Sequence, residues 1–399
     1  MRPEDYIDIV GEDVIADISR AAQPLSGKRV LHVNATYYGG GVAEMLYTIL
    51  PLMNAMGLDA DWSLLYGHPD LFHMTKKLHN GLQGEDVDIS SAELATYLSV
   101  NEAFARYTPI MHDAVIIHDP QPLPTLHFRR KAQPWIWRCH IDPSAPSERV
   151  WGLLKPYISE YDAMVVSAES FRKPDLSVKT YIIPPAIDPF STINRDMSAD
   201  EVNAKLAEYD IPQDKPLVVQ VSRFDKWKDP VGVLNVFERV RKELDCRLVM
   251  LGNMAGDDPE GPVIYGQVAA KAAQMTDVHL ITETDPALVN ALQRSAAVVL
   301  QLSLKEGFGL TVSEALWKGT PVVSTRVGGI PLQIEDAKTG YLTVPKDYET
   351  MSERVLKILA DPDFGAVLGE AGREHVRERF LMTRLLLDWL KLLNEVIQD

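Results

Sequence analysis

Two glutamates flank a glycine-rich turn in the second half of the chain, and their spacing suits the binding of one extended polar ligand. Glu306 precedes the turn and Glu314 follows eight residues later. Residues 297–302 are apolar and β-branched, which predicts a buried parallel strand, and a helical pattern follows the turn. Free N–H groups and the positive dipole end at such a helix start favour a phosphate or a sugar hydroxyl. We predict a ligand site at Glu306, Gly307, Phe308, Gly309, Leu310, Thr311 and Glu314.

Composition limits the class of protein. The 399 residues exceed what one hydrophobic core usually supports, so two domains are expected. A formal net charge of −16 argues against a nucleic-acid or anionic-membrane partner. Cys139 and Cys246 are far apart, so we expect neither a disulfide framework nor a zinc site. No signal-peptide core or membrane-spanning run occurs, which predicts a cytoplasmic protein, as a monomer or a homodimer.

The first half begins with a strand, a glycine-rich turn and a helix. Residues 29–34 predict the strand, and the helix follows three adjacent glycines at 39–41. The turn lacks the Gly-x-Gly-x-x-Gly fingerprint, so a nicotinamide cofactor has no support. Gly40 and Gly41 permit close approach of the backbone to a substrate, although a tight turn without a ligand would also explain them.

Polar residues follow two further predicted strands of this half. Asp119 ends the strand at 114–119, and His140 ends the strand at 135–140, with Asp142 two residues beyond. Ligands of open parallel sheets lie at the carboxyl ends of the strands, so these three residues are candidates for substrate contact. A histidine at a strand end is also common as a purely structural residue.

A second alternation of strands and helices begins after a proline-rich stretch at 184–189. We place the first domain at 1–210 and the second at 211–379, each a Rossmann-like doubly wound α/β sheet, with a cleft between them. Residues 380–399 form a last amphipathic helix. Arg223 and Lys228 follow the strand at 217–222, where two cations suit a phosphate-bearing ligand.

These motifs resemble a known family. Glu306-x7-Glu314 around Gly-Phe-Gly-Leu, with Gly319-x-Pro321-Val322-Val323 after the helix, is similar to the retaining glycosyltransferases of family 4, which have the two-domain GT-B fold. Stretches along nearly the whole chain resemble the trehalose glycosyltransferring synthases within that family. They are residues 33–44, 75–84, 118–122, 139–144 and 257–261.

The resemblance implies transfer of glucose from ADP-, UDP- or GDP-glucose to free glucose, which gives α,α-trehalose with the donor configuration retained. By the same resemblance, Arg223 and Lys228 bind the diphosphate and His140 contacts the sugar near the reacting carbon. Glu306 then holds sugar hydroxyls and Glu314 holds the ribose. No metal or other cofactor is obligatory, Mg²⁺ being expected only on the nucleotide, and the last helix crosses back onto the first domain.

Other functions stay open at this point. The sequence offers no convincing nucleophilic carboxylate, so retention by front-face attack is our hypothesis. A glycoside hydrolase would use Glu306 and Glu314 as acid and nucleophile but leaves Arg223 and Lys228 without a role. A phosphate-dependent trehalose phosphorylase, another nucleotide-sugar transferase of family 4, a nucleotide-sugar epimerase and a non-catalytic nucleotide-sugar sensor are the remaining alternatives. The nucleotide base is not readable from the residues.

Overall fold

The computed structural model describes residues 1–37, 40–252 and 261–398, and the chain divides into two compact units. The first unit is Met1–Ala186 with Met382–Asp399, and the second is Ile187–Leu381. The first division therefore lies within the proline-rich stretch 184–189, whose rings prevent it from continuing a helix or a central strand.

The first unit is built on a parallel sheet whose strands alternate with helices. The strands are β1 (Arg29–Asn34), β2 (Asp59–Leu64), β3 (Ala114–His118), β4 (Trp135–Arg138), β5 (Ala163–Val166) and β6 (Lys179–Ile182). The helices are α1 (Ile7–Val10), α2 (Glu12–Ala22), α3 (Gly41–Ala55), α4 (Pro69–Leu82), α5 (Ser91–Tyr107) and α6 (Glu148–Ile158). The strand order is β2-β1-β3-β4-β5-β6, with every pair parallel.

Local sequence explains where these elements begin and end. Gly11 has φ +85° and separates α1 from α2, a backbone conformation that glycine adopts without strain. Ser90 and Glu93 form a capping box at the start of α5, and the Ser147 hydroxyl caps α6. All residues of β3 and β4 are buried, as expected of central strands that helices cover on both faces.

The second unit repeats this architecture. Its strands are β7 (Leu217–Val221), β8 (Arg247–Leu251), β9 (Val278–Ile281), β10 (Ala296–Gln301), β11 (Val322–Thr325) and β12 (Tyr341–Thr343). Its helices are α7 (Ala199–Glu208), α8 (Pro230–Val240), α9 (Gly261–Ala272), α10 (Pro286–Ser295), α11 (Leu310–Trp317), α12 (Ile330–Gln333), α13 (Tyr348–Ala360) and α14 (Pro362–Arg379). The strand order is β12-β11-β10-β7-β8-β9, again with parallel pairs only. The predicted α/β class is confirmed.

Side-chain contacts explain why α7 belongs to the second unit, although the sequence-based boundary at 210/211 assigned it to the first. Helix α7 packs against α10. The Asn290 amide on α10 donates hydrogen bonds of 3.0 and 2.8 Å to the carbonyls of Thr192 and Arg195, just before α7. These bonds attach the segment before α7 to the second sheet.

The last helix, α15 (Met382–Gln398), belongs to the first unit. It packs against α2 and α3, and Leu386, Leu390 and Leu393 on one of its faces are fully buried. The Asn394 amide donates a 2.6 Å hydrogen bond to the carbonyl of Ala21 in α2. Within the part of the chain that the structure describes, no helix is long and apolar enough to cross a membrane.

We predict that Gly328→Ala destabilises the protein. Gly328 has φ +55°, and a Cβ added there would lie 1.6 Å from the backbone oxygen of Glu306. Strain and overpacking together should lower the free energy of unfolding by about 2–4 kcal/mol, measured by urea denaturation. Gly266→Ala in α9 is the control, because a Cβ there meets nothing within 4 Å and alanine favours a helix. Equal stability of Gly328→Ala and the unchanged protein would contradict this explanation of the loop.

Candidate active site

The glycine-rich turn of the second unit joins β10 to α11. Gly309 is the N-cap of α11 and has φ +83°, so a side chain here would be strained. A Cβ at this position would also lie 3.2 Å from Cγ of Glu306. Among the described residues no side chain caps α11. The first N–H groups of the helix, at Leu310 and Thr311, are therefore available to a ligand.

Glu306 and Lys228 form an ion pair beside this turn. The Lys228 ammonium donates to Oε2 of Glu306, which is buried. The same oxygen accepts a 3.0 Å hydrogen bond from the Ser303 hydroxyl and a 3.3 Å bond from the Gln301 amide. In the described chain no side chain or N–H donates to Oε1. The carboxylate is thus fixed in orientation through one oxygen, and the other can accept hydroxyl groups of a ligand.

Arg223 and Lys228 lie in the same loop after β7, next to the loop of Glu306. Arg223 pairs with the buried Asp225 at 3.7 Å, and its side chain is 38 % exposed. The N–H of Leu304 donates to the carbonyl of Trp227 at 2.7 Å, which ties the two loops together. The structure thus brings Lys228 to Glu306 directly and places Arg223 on the same loop with a carboxylate of its own.

Glu314 is buried one turn into α11, where it has a neighbour that the sequence reasoning missed. Lys318 donates to the backbone carbonyl of Glu314 at 3.1 Å and to Oδ1 of Asn194 at 2.9 Å. Burial lowers the pKa of the Lys318 ammonium to about 7, and the Glu314 carboxylate opposes this shift. The four-residue spacing of the two residues on a helix was a signal that could have found the pair.

Buried contacts hold the turn in place from the far side. The Gln333 amide donates a 2.6 Å hydrogen bond to the carbonyl of Phe308 and accepts one of 2.6 Å from Ser313. A Cβ at Gly329 would lie 2.7 Å from the carbonyl oxygen of Gly307, so glycine is needed for this close approach. Gln333 was not predicted, because only the fold brings it near residues 307–309.

In the first unit, Asp119 and His140 lie at the carboxyl ends of β3 and β4 and contact each other. Asp119 has φ +62°, and its Oδ1 accepts a 2.7 Å hydrogen bond from the backbone N–H of His140. Burial raises the pKa of the Asp119 carboxyl to about 6, a shift that this N–H and the Arg138 guanidinium oppose. Asp142 is buried and accepts a 2.9 Å bond from the N–H of Ser144. Asp142 therefore also shapes its own turn.

The predicted glycine site lies between β1 and α3. Gly40 is the N-cap of α3 in extended backbone, and Gly41 is its first residue. No atom of a neighbouring residue lies within 4 Å of a Cβ built on Gly40, so in the described chain the space beside it is open. Gly39, and residues 257–260 of the segment at 257–261 that resembles the family, lie outside the described residues.

Sequence reasoning assigned no role to three further polar residues beside His140. His118 Nδ1 lies 2.9 Å from Nε2 of His140, and His118 Nε2 lies 3.0 Å from Nδ1 of His32. Arg138 is also buried and donates to the Ser167 hydroxyl at 3.1 Å. A histidine or arginine inside an otherwise apolar strand was the signal available in the sequence.

The second-unit site has the chemistry for a phosphorylated sugar. Lys228 supplies a cation, the start of α11 supplies N–H donors, and Glu306 supplies a hydroxyl acceptor. Preorganised groups of this kind stabilise charge that develops on a leaving phosphate. In residues 1–37, 40–252 and 261–398, no group of three or more His, Cys, Asp or Glu side chains could hold a metal ion.

Comparison with known proteins assigns both halves of the chain. The family model "Trehalose synthase, N-terminal domain" matches residues 32–173, and "Glycosyl transferases group 1" matches residues 202–375. A trehalose synthase of Thermococcus litoralis is 40 % identical over 98 % of this chain and 97 % of its own length. A trehalose phosphorylase of Grifola frondosa is 30 % identical over 94 % of this chain and 58 % of its own length.

Solved structures share the fold. An α,α-trehalose-phosphate synthase (UDP-forming) from Burkholderia xenovorans matches with a TM-score of 0.74 at 14 % identity, covering 93 % of this chain and 100 % of that one. At this identity the likeness concerns the fold alone, and it confirms the predicted GT-B class. The relationship to Thermococcus litoralis trehalose synthase spans almost the full length of both proteins. The chain therefore belongs to the trehalose synthase family of group 1 glycosyltransferases and is a hexosyltransferase of trehalose metabolism.

Proposed function

We propose that the protein is a retaining glucosyltransferase that makes α,α-trehalose from a nucleoside-diphosphate glucose and free glucose. The observation that carries this proposal is the Lys228–Glu306 ion pair beside the uncapped start of α11. A cation, backbone donors and a carboxylate in one place suit an anionic diphosphate joined to a polyhydroxyl sugar. A hydrolase that binds only trehalose has no use for the cation or for the helix start.

Each residue then has a defined role. Arg223 and Lys228 bind the diphosphate, and Oε1 of Glu306 accepts hydrogen bonds from hydroxyls of the donor glucose. Glu314 accepts hydrogen bonds from the ribose. His140 contacts the transferred sugar near its reacting carbon. The donor base is adenine, uracil or guanine, and the proposal includes no obligatory metal or other cofactor.

The transfer breaks the bond between C1 of the donor glucose and the diphosphate oxygen. Negative charge then grows on the diphosphate while C1 becomes positive. Lys228, Arg223 and the N–H groups of α11 are all positive toward the diphosphate, so they stabilise it more as it leaves than in the ground state. Such preorganised groups are commonly the largest source of rate acceleration in enzymes.

We propose front-face attack as the cause of retention. The C1 hydroxyl of the acceptor glucose forms the new bond on the face from which the diphosphate departs, and a diphosphate oxygen takes the hydroxyl proton. The products are trehalose and the nucleoside diphosphate. The two nearby carboxylates have other duties, since Glu306 is held through Oε2 by its three donors and Asp142 accepts the N–H of Ser144.

A trehalose phosphorylase is the second candidate, and the 30 % identity to the enzyme of Grifola frondosa favours it over the remaining alternatives. A phosphorylase would place inorganic phosphate beside Lys228 and Arg223 in the position proposed for the diphosphate. The two candidates therefore differ in the leaving group and agree in the stereochemistry of transfer.

The first prediction concerns the reaction itself. The protein incubated with glucose and with ADP-, UDP- or GDP-glucose in turn should give a disaccharide that NMR identifies as α,α-trehalose, together with one nucleoside diphosphate. A parallel mixture contains trehalose and inorganic phosphate without nucleotide. Release of glucose 1-phosphate there, with no product from any nucleotide sugar, would show a phosphorylase instead. Release of glucose without phosphate or nucleotide would show a hydrolase.

The same reaction tests front-face attack. Samples that are quenched rapidly in acid, digested and analysed by mass spectrometry should contain no glucosylated peptide. A glucosyl group on Glu306 or Asp142 would overturn front-face transfer while leaving the proposed reaction intact.

A further prediction concerns the cation. Lys228→Ala removes the charge that stabilises the departing diphosphate, so kcat should fall about a hundredfold or more. Initial rates at saturating donor and acceptor measure this effect. Thermal unfolding checks the fold, because Glu306 loses its cation in this variant.

Lys338→Ala is the matched control. Lys338 lies in the same unit, its side chain is 76 % exposed, and it pairs at 3.3 Å with Glu335 three residues earlier. Such a surface pair contributes little, so kcat should stay within about twofold of the unchanged protein. A folded Lys228→Ala variant that matches this control in rate would remove the diphosphate role from Lys228.

A further inference from the structure

Three histidines form a continuous stack on one face of the first sheet. His32 lies in β1, His118 ends β3, and His140 follows β4. Adjacent rings have centroid separations of 5.3 and 5.2 Å and interplanar angles of 21° and 17°. The two nitrogen–nitrogen distances, 3.0 and 2.9 Å, are hydrogen-bond distances. The stack leads from the buried sheet to His140, the residue proposed to contact the sugar.

All three rings are neutral. Burial lowers the pKa of His32 to about 3, and burial together with the neighbouring Arg138 cation lowers the pKa of His118 and of His140 well below the ordinary value. A neutral imidazole carries one N–H and one acceptor nitrogen. The stack therefore has only two arrangements of its protons, one with every N–H directed toward His140 and one with every N–H directed toward His32.

The buried end of the stack distinguishes these arrangements. Nε2 of His32 and one terminal nitrogen of Arg138, Nη1, are buried and have no partner among the described residues. Both side chains line the same cavity, whose volume for the centre of a water molecule is about 20 Å³. That volume holds about one water, and a polar site with two unsatisfied groups is where a buried water is expected.

Arg138 determines how that water is oriented. A guanidinium only donates hydrogen bonds, so the water accepts from Nη1 and has its own protons left to donate. The rest of the cavity wall is mainly apolar, including Met45 and Ile49 of α3 and Trp389 of α15. Nε2 of His32 is thus the nearby acceptor, and accepting there requires His32 to carry its proton on Nδ1.

We propose that His32 and His118 are positioning residues which, with a water bound by Arg138, hold His140 in the tautomer protonated on Nδ1. The Nδ1–H of His32 donates to Nε2 of His118, and the Nδ1–H of His118 donates to Nε2 of His140. His140 must then carry its own proton on Nδ1, the nitrogen that the stack leaves for a ligand. Aligned hydrogen bonds polarise one another, so this donor is strengthened by those behind it.

The inference rests on the proposed function for what the donor does. A neutral Nδ1–H directed at a sugar oxygen donates a hydrogen bond without adding a second full charge beside the developing positive C1. The opposite tautomer would offer the sugar only an acceptor. The stack thus decides whether His140 donates to the substrate or accepts from it.

The tautomers are measured directly on the unchanged protein. Nitrogen-15 NMR of histidine-labelled protein distinguishes protonated from bare ring nitrogens. His32→Asn, His118→Gln and His140→Asn assign the three signals among the ten histidines. We expect His32, His118 and His140 to be neutral, each with its proton on Nδ1, from about pH 6 to pH 8. A proton on Nε2 of His140 would overturn the proposal, whatever the protein catalyses.

Two variants of His118 separate positioning from packing. Gln supplies an oxygen that can accept from His32 and an amide that can donate to His140, whereas Leu supplies neither. His118→Leu should lower kcat about tenfold, the effect of one hydrogen bond, with KM for the donor within about twofold. His118→Gln should recover most of that loss. Equal rates of the two folded variants would overturn the proposal.

His112→Leu is the matched control. His112 lies just before β3, at the opposite end of that strand, and its buried ring contacts Asp61 at 2.9 Å. This variant loses a buried polar contact of the same residue type in the same unit, so stability should fall while kcat stays unchanged. A kcat loss equal to that of His118→Leu would show that both effects are structural. If the unchanged protein transfers no glucose, the proposed function fails, and the NMR result still decides the tautomer.

Discussion

A strand that pairs parallel to its neighbour must be joined to it by a crossover that passes over a face of the sheet. In both units every strand pair is parallel, so helices cover the faces and every connection to the next helix starts at the same edge. The loops after β3 and β4 meet at that edge of the first unit. The loops after β7, β10 and β11 meet at that edge of the second unit. Polar chemistry is confined to these edges because the sheets themselves are buried.

The ion pair of the second unit is better explained by ligand binding than by folding. Replacing a buried ion pair with apolar residues is often neutral or stabilising, so Lys228 and Glu306 are weak evidence for stability alone. Their surroundings are also constrained, since Gly328 and Gly329 approach the backbone of the loop too closely for a Cβ. The fold accepts these costs where a charged ligand would need oriented partners. Arg138 and the histidine stack are the corresponding cost in the first unit.

The sequence predicts the alternation of strands and helices well, because buried parallel strands are continuous apolar runs. Two strands were not predicted, β6 and β12, which lie at the outer positions of their sheets. Both are short, and β6 mixes Lys179 and Thr180 with apolar residues, so neither has the pattern of a central strand. The strand at 135–140 was predicted too long at its carboxyl end, since its ladder ends at Arg138, where the chain turns toward the site.

Candidate site residues at strand ends could be predicted because their position follows from the chain itself. Their partners could not. His32 and His118 approach His140 because β1, β3 and β4 are neighbours in the sheet, an order that the sequence does not state. Gln333 reaches Phe308 in the same way, across 25 residues of chain. Residues whose role depends on register between strands need the fold before they can be assigned.

Hydrogen–deuterium exchange with and without ADP-, UDP- and GDP-glucose tests the central claim most directly. If the turn between β10 and α11 binds the activated sugar, the backbone amides of residues 307–311 should exchange more slowly when the preferred donor is present. The amides of α9, on another crossover of the same unit, should be unaffected. Tight binding of a donor with no change in exchange at 307–311 would contradict the account.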